Sequence, residues 1–273
     1  MNKAIELRSK YEHFRILIIG RANAGKTTIL KKVCNSIDDP EIFSPSGEKI
    51  DISTVQESSE RGLHDIEHQL MFKSNPQFIF HDSRGFESGS VDEMEAVTSF
   101  ITERAKSNEL SEQLHAIWYC LPTDTDRPLL EADQKFFNEY GCGRVPIVAI
   151  FTKFDALVSK AFGELRKELH QGQVHSVKAA RDKKTERAKA KLNTNFIEPL
   201  MATMFRPSGH VQLCDMQKEK SNCTELIEKT AEVLDDETLK LLFVSVQENN
   251  VKICINYAII NQCLIKYFLK NSM

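Results

Sequence analysis

The feature that most constrains this chain is an apolar run, FRILII, that stops at Gly20 and opens into Gly20-Arg21-Ala22-Asn23-Ala24-Gly25-Lys26-Thr27. A short β-branched apolar run ending at glycine predicts a buried parallel strand feeding a turn, and a helix is expected from about Gly25 to Ser36. The octet fits GxxxxGK[ST] and lies between that strand and that helix start, the context in which such a loop works. Its glycines let the backbone wrap closely, so that N–H groups and the helix N-terminus face phosphate oxygens. Lys26 then supplies a cation to the β- and γ-phosphates, and the Thr27 hydroxyl can ligate Mg²⁺. Gly20, Arg21, Ala22, Asn23, Ala24, Gly25, Lys26, Thr27 and Thr28 are the candidate phosphate-binding residues.

The remaining segments extend this start into an α/β fold. Residues 38–62 carry Pro40, Pro45, Gly47 and many polar side chains without a helical period, which reads as a long mobile loop. Ile66 to Phe72 and Phe78 to Phe80, flanking Ser74-Asn75-Pro76, suggest an antiparallel hairpin whose second arm ends at Asp82. Ser90 with Glu93 resembles a capping box ahead of Met94, Val97, Ile101 and Ala105, so a helix is expected over about 91–106. AIWYCL (Ala116–Leu121) and VPIVAIF (Val145–Phe151) are two further apolar runs, separated by a helix around Leu129 to Tyr140. The alternation predicts a three-layer fold, a mostly parallel six-stranded sheet with one antiparallel edge strand and helices on both faces.

From Ala156 to Asn195 the composition turns to Lys, Arg, Glu and Ala, which reads as an exposed, largely helical insertion spanning 156–205. His210 to Cys214 suits a final strand. Beyond it, Leu239, Leu242, Phe243, Val246, Ile253, Tyr257, Ile260 and Leu264 fit helical steps across Asp236 to Leu269, with a strand at Leu241 to Val246 as the competing reading. The 273 residues are therefore read as one enlarged domain: a core of 14–155 and 210–235, the insertion, and a helical extension over 236–273.

Composition narrows function by exclusion. Lys plus Arg total 36 against 39 Asp plus Glu, so no global basic field attracts nucleic acid, and any membrane contact has to be local and peripheral. Seven Cys without a CxxC pair or metal-ligand spacing read as reduced, mostly buried thiols of a reducing compartment. The start MNKAIELRSKYEHF lacks a signal peptide's apolar stretch, and no window suits a membrane span, so a soluble cytoplasmic protein is expected.

Two shorter motifs follow the phosphate loop in order. Asp82-Ser83-Arg84-Gly85 succeeds the FIF strand, placing a carboxylate at a carboxyl strand end where it can hold Mg²⁺ through water, with the Gly85 N–H reaching the γ-phosphate. Thr152-Lys153-Phe154-Asp155 caps the VAIF strand. A carboxylate at 155 accepts from both N1–H and the N2 amine of guanine, whereas adenine presents the wrong polarity, and the Lys153 stem can pack over the ring.

With GxxxxGK[ST], DxxG and [NT]KxD in sequence, the chain resembles the translation-factor-like class of GTPases over residues 14 to about 155, with the strand at 210–215 as a plausible continuation. GRANAGKTT is most similar to the GRxNxGKS loop of the Era-like, TrmE-like and septin-like branches, and a fungal or immunity-related type of G domain is a weaker resemblance. The resemblance implies a P-loop G domain that binds GTP or GDP with Mg²⁺ and hydrolyses slowly, with Lys26 and Gly85 as its catalytic contacts and a protein effector or a self-dimer across the nucleotide face as partner.

Three departures mark this chain. The first-switch residue that binds Mg²⁺ has no unique counterpart, and Thr54 and Ser59 stand level for it. The base-closing segment is either Leu213-Cys214-Asp215-Met216, which fits the strand assignment better and makes Cys214 and Asp215 base contacts, or Val244-Ser245-Val246. Phe86 stands where Ras-like members carry the water-orienting Gln. The resemblance offers potassium in compensation, held by Asn23 beside the phosphates, although Asn23 also suits the φ > 0 geometry of such loops. His81 reads as a packed histidine, Arg84 as a surface residue and Lys178 to Lys191 as a solvated helix face. Alternatives to a hydrolysing switch are a binding module with negligible turnover and a P-loop kinase.

Overall fold

The computed structural model describes residues 13–50, 65–83, 91–107, 109–139, 143–171 and 176–246. β1 (Phe14–Gly20) is buried along all seven residues, as a central strand covered on both faces must be. Its side chains alternate, with Phe14, Ile16 and Ile18 entering one core layer and Leu17 and Ile19 the other. β6 (Ala116–Pro122) divides the same way, with Trp118 and Cys120 on the first face and Ile117, Tyr119 and Leu121 on the second.

β4 (Gln69–Phe72), β5 (Asn75–Asp82), β7 (Ile147–Thr152) and β8 (Gly209–Gln212) join these strands, as do the short β2 (Glu41–Phe43) and β3 (Lys49–Ile50). The order across the sheet is β3-β2-β4-β5-β1-β6-β7-β8. β5, β1, β6, β7 and β8 run parallel, whereas β4, β2 and β3 pair antiparallel at one edge. The expected hairpin is therefore β4 and β5, and the sheet has eight strands in place of six. The two extra strands lie in the segment read as a mobile loop: Gly47, at φ 84, closes a turn that pairs Ile42 with Ile50, and Ile42 in turn pairs with Leu70. Residues 51–64 of that segment lie outside the described residues.

α1 (Lys26–Val33), α7 (Thr224–Val233) and α8 (Glu237–Ser245) cover one face of the sheet through Ile29, Leu30, Leu226, Ile227, Leu242 and Phe243. α2 (Val91–Lys106), α3 (Glu131–Glu139) and α4 (Phe154–His170) cover the other through Phe100, Phe136, Phe137, Leu157 and Ala161. The expected helices at 91–106 and 129–140 correspond to α2 and α3. The strand reading of 241–246 gives way to α8, and residues 247–273 of the expected C-terminal helix lie outside the described residues. Among the described residues no helix is long and apolar enough to cross a membrane.

The charged 156–205 segment is helical as expected but is not simply exposed. α4 lies directly on the sheet, and α5 (Val177–Leu192) folds back along it as an antiparallel partner. Leu165 and Ala180 are buried between them, while Arg187–Glu168 and Lys191–Glu164 pair on the outside, where such ion pairs add little. A π-helical turn (Asn193–Ile197) leads from α5 into α6 (Glu198–Met201), and Phe196 meets Phe151 edge-on at 5.9 Å. Two apolar residues, Phe196 and Leu200, thus anchor to the core a stretch whose composition reads as solvated.

A buried polar cluster spans the sheet beside β1. Arg15 Nη1 donates to His81 Nε2 at 2.9 Å, and His81 Nδ1 donates to the Ile66 carbonyl at 2.7 Å. His115 accepts from the Arg15 N–H through Nδ1 at 2.9 Å and donates through Nε2 to the Leu110 carbonyl. Each ring thus uses one nitrogen as donor and one as acceptor, which requires neutral imidazole. Burial, joined by the charge of Arg15, pushes His81 down to about 3 and His115 down to about 4. The sign follows directly: the unfolded chain binds these protons first as pH falls below the ordinary histidine value, so stability drops with acidification. Between pH 7 and pH 5 each histidine is expected to remove about 2 kcal/mol, read from urea unfolding across that range. A flat profile there would contradict neutral, buried histidines.

Candidate functional site

The sheet order reverses between β1 and β6, since the chain passes from β1 to β4 and β5 on one side and then to β6 on the other. A crevice at the carboxyl ends of the strands beside such a switch point is where open α/β sheets take ligands. Here it is a cavity of about 440 Å³ lined at one end by residues 23–29 and Asp82, and at the other by Thr152, Lys153, Asp155, Met216 and Gln217. A larger cavity of about 1170 Å³ opens beside His115, Val145 and Ser208, at the amino ends of β6, β7 and β8. None of the motif residues lines it.

The loop between β1 and α1 begins at a close approach. Gly20 pairs with Cys120, and a Cβ on Gly20 would lie 2.7 Å from the Cys120 carbonyl oxygen and 2.8 Å from its Cβ. Beyond it Asn23 takes φ 58 and Gly25 φ 87, turning the backbone into the first turn of α1. Asn23 is exposed and adopts the left-handed geometry expected of it. Lys26 Nζ donates to the carbonyls of Gly20 at 3.1 Å and Arg21 at 3.3 Å, and lies 3.7 Å from Asp82 Oδ1. Thr27, exposed on the lining, and Asp82 offer a hydroxyl and a carboxylate, the hard oxygen donors that suit Mg²⁺, with further positions left to phosphate and water.

At the other end Lys153 takes φ 56 and starts α4, with Nζ bound to Asp124 Oδ2 at 2.7 Å. Thr152 is buried, and its hydroxyl has no partner among the described residues. Asp155 accepts from the Asp215 N–H through Oδ1 at 2.8 Å, which orients the carboxylate. Asp215 takes φ 55, a left-handed turn that Asp tolerates, and its carbonyl accepts from Ser221 Oγ at 2.6 Å. Lys32, on α1, clamps the same turn by donating to the carbonyls of Lys218 and Glu219.

Most of the expected residues meet in this crevice: Asn23, Ala24, Gly25, Lys26, Thr27, Thr28, Asp82, Thr152, Lys153 and Asp155 all line it. Of the other described candidates, Gly20 and Ala22 do not line it. The Arg21 side chain does not face the cavity: it is 6% exposed and pairs with Asp133 at 2.6 Å, because three acceptors behind the loop draw the guanidinium inward. Cys214 and Asp215 do not line the cavity either, because the left-handed turn carries Met216 and Gln217 there instead. Val244 to Val246 sits far from the crevice: Val246 accepts from Asn75, at the amino end of β5. Gly85, Thr54 and Ser59, with Arg84 and Phe86, lie outside the described residues.

The buried thiols are not nucleophiles. Cys34, Cys120 and Cys223 are buried as expected of most of the cysteines, while Cys214 is exposed. Burial raises all three, pushing Cys120 and Cys223 up to about 12. Neither the protein-family models nor the curated proteins compared with the chain match it. The functional reading therefore rests on the crevice itself.

Gly20→Ala is expected to force β1 and β6 apart, because the obstructing atoms belong to a neighbouring strand and cannot rotate away. The expected cost is about 1–3 kcal/mol in denaturant unfolding, together with a distorted loop. An alanine variant of unchanged stability would show that this close approach does not constrain the fold.

Proposed function

We propose that the protein binds GTP with Mg²⁺ and hydrolyses it slowly, as a nucleotide-dependent switch built on a P-loop G domain. The observation that carries this reading is the convergence of the loop at 23–28 and Asp82 on the same crevice as Thr152, Lys153 and Asp155, about one nucleotide's worth of space. The phosphate chain lies against the loop amides and Lys26, whose present acceptors are two carbonyls at the loop's root, with Asp82 as a nearby ion-pair partner. Thr27 and Asp82 would hold Mg²⁺, which supplies charge neutralisation at the phosphates. Asp155, oriented by the Asp215 N–H, accepts from guanine N1–H and N2 amine, and the Lys153 stem, tethered by Asp124, flanks the ring.

Hydrolysis on this reading is in-line attack of water on the γ-phosphorus with departure of GDP, and no covalent intermediate forms on the protein. Lys26 and the loop N–H groups stabilise charge that accumulates on the phosphate oxygens. The buried Cys120, raised by its surroundings, and the neutral, doubly bonded His81 take no part.

Titration of the purified chain with GTP, GDP, ATP and XTP tests the proposal. Guanine nucleotides are expected to bind and ATP to be rejected; Lys26→Ala is expected to weaken GTP by roughly a hundredfold, given the strength of a charge-assisted contact. Asp155→Asn is expected to exchange GTP preference for XTP preference. Equal binding of ATP and GTP by the wild type would replace the G-domain reading with a general phosphate-loop one. If potassium is held by Asn23, turnover rises in potassium over sodium and loses that rise in Asn23→Ala.

A further inference from the structure

Two contact sets flank the crevice, one buried and one partly exposed, and one short segment belongs to both. At the phosphate end, Arg21 Nη1 donates to the Arg127 carbonyl at 2.9 Å, and Nη2 donates to the Pro128 carbonyl at 3.0 Å and to Asp133 Oδ2 at 2.6 Å. Asp133, at the start of α3, is 1% exposed and also accepts from Tyr119 Oη at 2.8 Å and the Leu130 N–H at 2.7 Å. At the base end, Thr123 Oγ1 donates to the carbonyls of Thr152 and Lys153, both at 3.0 Å, and Asp124 holds Lys153 Nζ.

Only the stretch from Thr123 to Pro128 separates these two sets, and it carries local restraints. The Arg127 N–H donates to Thr125 Oγ1 at 3.1 Å, and Pro128 has a fixed φ. The Arg21 carbonyl in turn accepts from the Ala24 N–H at 3.2 Å and from Lys26 Nζ, so the residue anchored behind the crevice also closes the inner turn of the loop. A buried ion pair is weak evidence of added stability, since apolar packing of equal volume often serves as well. A planar guanidinium fixed by three acceptors has one orientation, which Lys cannot reproduce.

We infer that the segment 123–128 is a rigid link between the phosphate loop and the base-facing turn, with Arg21 and Asp133 as positioning residues at one end and Thr123 and Asp124 at the other. Arg21 meets neither phosphate nor base through its side chain; it sets where Lys26 and the loop amides stand relative to Lys153 and Asp155. What the link does for nucleotide binding rests on the proposed guanine-nucleotide reading, while the mechanical connection does not.

The test has two arms. In the first, hydrogen exchange is followed in the nucleotide-free chain. Arg21→Lys and Asp133→Asn are expected to speed amide exchange at 153–156, remote from the substituted side chains, by roughly tenfold while β8 is unchanged. Asp124→Ala, at an exposed site, is expected to do the converse at 21–24. Unchanged exchange at the far end in these variants overturns the link whether or not the protein binds nucleotide. In the second arm, GTP and ATP affinities are measured for wild type, Arg21→Lys, Asp124→Ala and the double variant. Arg21→Lys is expected to narrow the GTP-over-ATP preference as well as weaken binding, and the double variant to lose less than the product of the single losses, by roughly three- to tenfold. A purely structural Arg21 would leave base preference intact and the losses multiplicative, which refutes the link. Failure of the wild type to bind guanine nucleotides refutes the functional reading instead, and the exchange arm still decides the connection.

Discussion

The crevice depends on how closely two backbones meet where β1 ends. Gly20 lies against Cys120 with no room for a side chain, so the loop leaves the sheet from directly beside β6. That proximity brings Arg21 within reach of Arg127, Pro128 and Asp133, all of which follow β6 in the chain. The same approach puts the Gly20 carbonyl where Lys26 Nζ meets it. A single missing Cβ therefore sets both the inner face of the loop and the anchor behind it.

Polar burial follows from that placement. Arg15 and Arg21 enter the interior at opposite ends of β1, and each is met by fixed acceptors: His81 and the Ser111 carbonyl for one, Asp133 and two carbonyls for the other. Desolvation of a guanidinium is costly unless its donors are met by well-placed acceptors. For Arg15 the burden shows as a value lowered to about 10, with burial the largest cause and Arg104 next. Two buried cations, one on β1 and one just past its end, make the strand tolerant of little movement. On the proposed nucleotide-binding reading, that rigidity is useful beneath a loop whose N–H groups are aimed in fixed directions.

The strands and helices of the sheet were legible because their signals are local. AIWYCL and VPIVAIF are apolar without interruption and FRILII is broken only by Arg15, a pattern that burial on both faces explains, and they became β6, most of β7 and β1. The GxxxxGK[ST], Asp82 and Thr152-Lys153-Asp155 motifs were legible for the same reason, and they converge in one crevice. β2 and β3 were not, because strands of three and two residues carry too few side chains to show alternation. Nor was the buried role of Arg21, since its partner Asp133 lies 112 residues away and nothing in the octet distinguishes an arginine turned inward from one facing phosphate. Met216 fell within the expected base-closing segment, but Cys214 and Asp215 were named as its contacts and Gln217 lay beyond it, because a left-handed Asp215 shifts the lining by two residues and only the tolerance of Asp for that geometry hinted at it.

The charged helix pair shows why composition alone misplaces a segment. α5 carries a charged residue at more than half its positions, yet small Ala180 and Ala188 face inward, where they let the helix approach its neighbours closely. Small residues at a helix contact carry almost no hydropathy signal, so the stretch reads as solvated even though its backbone packs. The π-helical turn then adds a residue to the helical register before Phe196, changing which side of the continuing helix faces the sheet. Its consequence reaches the crevice: Phe196 packs on Phe151, and the next residue along β7 is Thr152, the first of the turn that lines the crevice. The segment that looks most like an appendage thus braces the strand from which Lys153 and Asp155 are presented.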